Sequence, residues 1–177
     1  MGKRPIGVII LAALHILGGL AMTLGLVAAL RGDAGSAGNA FQGGPPGYVL
    51  GTIALMSAVN LAAGAGLIMG RNWGWCLSLF FLVLLALRNV EGLLLVPVFS
   101  QFRTAEEINA AYSSYVVALL VQGLIMVYYF RSNVLEFFGL EDSSRPRLAV
   151  WVVLAAMAYL TLNLVLDLKL VSLAGAG

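Results

Sequence analysis

The sequence predicts an all-α fold: a polytopic integral membrane protein, a five-helix transmembrane bundle with its N-terminus inside and its C-terminus outside. Three observations carry that expectation. The 177 residues are 61% hydrophobic and only 10% charged, whereas soluble domains carry about 25% charged residues. The apolar residues come in blocks of about 20, the length that crosses roughly 30 Å of hydrocarbon. Lysines and arginines gather on one side of the threading those blocks impose. A single transmembrane domain, residues 1–177, is expected, with polar loops at 31–47, 100–111 and 131–147.

The first block, residues 6–30, follows Lys3 and Arg4 and is opened by Pro5, which suits a first helical turn. It resembles a signal peptide in its flanks. Its length of about 25 residues exceeds an h-region of about 7–15, so a retained helix is expected. RGDAGSAGNAFQGGPPG then breaks the chain with Gly and Pro. The second span covers residues 48–69. GRN follows, so short that spans two and three must form an antiparallel hairpin.

Span three begins at Trp73 and poses the main question of the sequence. LALRNVEGLLLVPVF, residues 85–99, places Arg88, Asn89 and Glu91 inside an apolar run. The span ends either at residue 92, where Gly92 suits a helix C-terminus, or at residue 99. Thr104 and Glu107 have the spacing of a capping box, so a helix should start near Ala105 and run into span four, residues 112–130. Asn133 and Glu136 fit a short capped turn laying Leu135, Phe137 and Phe138 on the interface. Pro146 opens span five, residues 148–171.

With the N-terminus inside, the inner side holds Lys3, Arg4, Arg71, Arg131, Arg145 and Arg147, and the outer side Arg31, Arg103 and Lys169. That excess obeys the positive-inside rule. Trp73, Trp75, Tyr128, Tyr129 and Trp151 fall near the same interface, where aromatic belts sit. Net charge of +2, spread over helix ends, gives no reason to expect nucleic acid.

Two groups of polar residues need an account. His15, Asn60 and Gln122 fall at roughly 13–15 Å from the inner surface, near the midplane, at about 1.5 Å per residue. The expected reading is interhelical hydrogen bonding, His15 to Asn60 or Gln122; the sharper one is a proton relay through His15. Arg88 and Asn163 fall at about 22 Å, Glu91 and Asp167 at about 27 Å, on parallel helices. Arg88, Glu91, Asn163 and Asp167 therefore form a candidate polar cluster, with Tyr159 and Thr23 nearby. Charge at that depth is costly unless paired, snorkelling or lining water. The three readings of Arg88 are a clamp to Asp167 or Glu91, a snorkel to the outer headgroups, and a binding site.

Ala54, Ala58, Ala62, Gly66 and Gly70 recur every four residues on span two, a small-residue face expected to pack against span one or a second copy. Ala21, Gly25 and Ala29 form a shorter face on span one.

One cysteine, Cys76, excludes an internal disulfide, and one histidine excludes bis-histidine haem ligation. No phosphate loop, zinc motif or nucleophile elbow occurs, so no catalytic residue, metal or cofactor is expected. The functional expectation is a non-enzymatic accessory or scaffold subunit of the inner membrane, partnered by lipid and by another copy or a larger membrane protein. The alternatives are a small homo-oligomeric channel or carrier and, more weakly, a lipid-handling enzyme at the outer leaflet. Ala, Gly and Leu bias points to a prokaryotic source.

Overall fold

In the computed structural model, residues 4–31, 46–99, 104–140, 150–159 and 161 are described. Four helices are long and apolar enough to cross a membrane: α1 (Ile6–Leu30), α2 (Pro46–Ile68), α3 (Asn72–Phe99) and α4 (Ala105–Tyr129). A short helix, α5 (Ser132–Phe137), and an apolar helix, α6 (Val150–Tyr159), follow. No strand occurs among the described residues. The multi-pass, all-helical character follows from the composition, because helices satisfy their own backbone where no water can.

Each of the four helices packs against its neighbour in sequence. The pairing is antiparallel throughout. Gly19 meets Leu61 and Ile16 meets Gly64 between α1 and α2, while Gly92 meets Tyr115 and Trp75 meets Tyr129 between α3 and α4. One end of the bundle therefore holds Arg4, Arg71 and Arg131; we call it the Arg71 end. The other end holds Arg31 and the start of α4.

The α2–α3 hairpin turns on Gly70, whose φ of +65° is left-handed and suits glycine. Directly beside it Gly66 and Gly74 bring their backbones into contact, leaving no room for a Cβ on either. Beneath the turn, α5 folds back: Val134, Leu135 and Phe138 join Leu67, Trp75 and Tyr129 in one buried cluster, and Phe137 lies against Gly70. The expected interfacial turn is thus a packed element. Arg131, rather than Asn133, is its N-cap residue. Leu135 and Phe138 are buried because the hairpin turn offers them an apolar underside; only Phe137 is partly exposed.

The start of α4 follows the sequence closely. Thr104 accepts from the Glu107 N–H, and the Glu107 carboxylate accepts from the Thr104 N–H, a complete capping box. Helical structure from Ala105 takes over part of the expected 100–111 loop. At the end of α3, Gly92 does not terminate the helix. The helix continues through Pro97 to Phe99, because Gly92 sits against the Tyr115 ring of α4 and serves close packing rather than a left-handed turn. Of span five, only Val150–Tyr159 and Thr161 are described; Val152 and Ala156 join the core, and the Tyr159 ring stands edge-on to Phe80 at 6.4 Å.

The aromatic residues at the Arg71 end divide. Trp73 and Trp151 are exposed, as a belt requires. Trp75 and Tyr129 are buried instead, since α5 covers them and the Trp75 indole N–H donates to the Tyr129 carbonyl at 3.3 Å.

Candidate functional site: a polar chain across four helices

His15, about two turns past the buried Val8 of α1, faces inward between α2 and α3. Its Nδ1 lies 2.7 Å from Asn60 Oδ1. Its Nε2 is hydrogen-bonded to the Ser78 hydroxyl of α3, which is in turn hydrogen-bonded to the Tyr129 hydroxyl of α4. Phe81 closes over the imidazole edge-on, ring centroids 5.6 Å apart. One residue from each of four helices thus joins a continuous chain: Asn60, His15, Ser78, Tyr129.

Asn60 also donates its amide N–H to Met22 Sδ at 3.6 Å. Donor and acceptor roles along the rest of the chain follow the imidazole tautomer, and the Ser78 and Tyr129 hydroxyls can each serve as either.

A second polar knot lies further from the Arg71 end. The Thr23 hydroxyl is 2.6 Å from the Ser57 hydroxyl, and both donate to the Gly19 carbonyl at 2.9 Å. Thr23 thus belongs to the α1–α2 seam and does not reach Arg88. Gln122 is buried on α4, 9% exposed, but it does not meet His15; its Oε1 has no hydrogen-bond partner among the described residues.

The charges on α3 are arranged differently. Arg88 donates to the Glu91 carboxylate at 3.2 Å within α3, and the side chains are 45% and 40% exposed. Asn163 and Asp167 lie outside the described residues. α3 spans about 42 Å at about 1.5 Å per residue, well beyond the roughly 30 Å of hydrocarbon. Arg88 and Glu91 lie in the half of α3 away from the Arg71 end, about 24 and 29 Å along the helix from Asn72.

The small-residue face of α2 is split by the fold. Ala54 and Ala58 are exposed, Ala62 is partly buried, Gly66 packs on α3, and Gly70 is the turn. The α1–α2 seam runs instead along Ser57, Asn60, Leu61 and Gly64. On α1, Ala21 is exposed, and Gly25 and Ala29 are partly buried. Small residues do permit close approach, but the deep polar contacts rotate α2 so that Ser57 and Asn60 face α1.

Beside the chain is a cavity of about 290 Å³ between α1, α3 and α4. Its polar lining comes from His15, Asn60, Ser78 and Tyr129; the rest is apolar, including Leu14, Leu82, Leu85 and Ile125. Leu14 and Leu85 are also exposed on the outside of the bundle, 58% and 38%, so the cavity opens laterally. No cluster of three or more His, Cys, Asp or Glu able to hold a metal occurs among the described residues. Comparison with family models, curated proteins and solved structures finds no match.

Ser78 and Tyr129 are the members of the chain that sequence reasoning missed. Ser78 is a lone hydroxyl in WCLSLFF, placed within about 6 Å of the depth of His15 by the helix rise, and that depth match was the available signal. Tyr129 closes its span, a position that by sequence suits the interface.

Proposed function

We propose that this chain is a non-enzymatic integral membrane subunit of a prokaryotic inner membrane, an accessory or scaffold protein that completes itself against another membrane protein. The orientation we favour puts the Arg71 end inside, in line with Arg4, Arg71 and Arg131 gathering there. One observation carries the reading. The buried polar chain joins side chains from its own four helices, while the Arg88–Glu91 pair stands open on the side of α3. A buried polar chain of this kind fixes helix register, at about 0.6–1.7 kcal/mol per interhelical bond. An exposed ion pair on a long spanning helix is a contact held ready for a partner segment or for outer headgroups. Exposed apolar side chains on α4, among them Val117, Leu120, Leu124 and Val127, supply a lipid or partner face beside it.

The test is extraction in mild detergent followed by native mass measurement. A particle holding a second membrane chain, or a second copy, is expected. A strictly monomeric particle in several mild detergents overturns the reading.

A second reading, a small proton carrier, is favoured by the continuity of the chain from Tyr129 to Asn60. Proton flux in proteoliposomes that falls when His15 is replaced by Ala is its signature; tight vesicles remove it.

A further inference from the structure

We draw no further inference here: the strongest candidate, the lateral cavity between α1, α3 and α4 beside the Asn60–His15–Ser78–Tyr129 chain, carries none, because its polar groups are already bonded to one another and nothing in the structure shows what occupies it.

Discussion

At the Arg71 end, α5 closes under the α2–α3 turn, and Trp75, Tyr129, Leu67, Val134 and Leu135 are each no more than 2% exposed. Toward the opposite end the same helices present Leu24, Leu30, Leu94, Val116 and Val117 outward, and the buried set thins to Ile53, Ser57 and Val96. The polar groups follow the same division. The Asn60–Tyr129 chain of the closed half is buried and joins four helices, and the Thr23–Ser57 contact continues that bonding between α1 and α2. Among the described residues the charged pair in the open half is bonded along its own helix, with both side chains half-exposed. In lipid there is no hydrophobic drive between helices, so what distinguishes the halves is close backbone contact and directional bonding. Gly66–Gly74 and the Asn60–Tyr129 chain supply both at one end.

This contrast breaks most severely at the glycine contact. Gly74→Val would drive a side chain into the Gly66 backbone, which cannot rotate away. A loss of about 3 kcal/mol or more, at or above the usual range for overpacking, is expected in detergent unfolding titrations. An unchanged midpoint would mean that the hairpin does not anchor the closed half.

Next comes the polar chain. Ser78→Ala strips His15 Nε2 and the Tyr129 hydroxyl of their shared partner at one stroke. About 1–2 kcal/mol is expected. A double-mutant cycle with Tyr129→Phe should show coupling of at least about 0.5 kcal/mol; additive losses would dissolve the chain into unrelated contacts. Gly70→Ala forces a Cβ into left-handed backbone and is expected to cost about 1 kcal/mol, read from the same titration.

The smallest effect on stability belongs to the open half. With the pair at the level of the headgroups, as proposed, Arg88→Ala should change the unfolding midpoint by less than about 0.5 kcal/mol, as for water-exposed ion pairs; with the pair in hydrocarbon, the Glu91 charge left behind would cost more. The same change is expected to weaken recovery of the partner chain in mild detergent. A loss of several kcal/mol from Arg88→Ala in the isolated protein would instead place the pair in the core and erase the difference between the halves.

Much of this was legible in the residues. The four apolar blocks, the GRN hairpin and the Thr104–Glu107 capping box needed only hydropathy, chain length and local spacing. The match of His15 with Asn60 was legible too, from depth along antiparallel helices. Depth is one coordinate, however, and rotation about the helix axis is another. Gln122 has the right depth and the wrong rotation, so it misses His15. Ala54 and Ala58 have the right periodicity, yet rotation turns them outward while Ser57 and Asn60 face α1. Tyr129 sits at a span end that suits a belt, but α5 encloses it.

The sequence by itself determined that the chain forms helices long and apolar enough to cross a membrane, where most of them start, and which polar residues must be accounted for. Those properties depend on composition and on neighbours a few residues apart. Tertiary structure alone decided that Gly92 is a packing site rather than a stop, that Ser78 and Tyr129 complete the chain begun by His15, and that a cavity opens beside it. Each of these depends on the rotation of one helix against another. That rotation is set by contacts between residues some 20 to 60 positions apart, such as Gly92 with Tyr115 and His15 with Ser78.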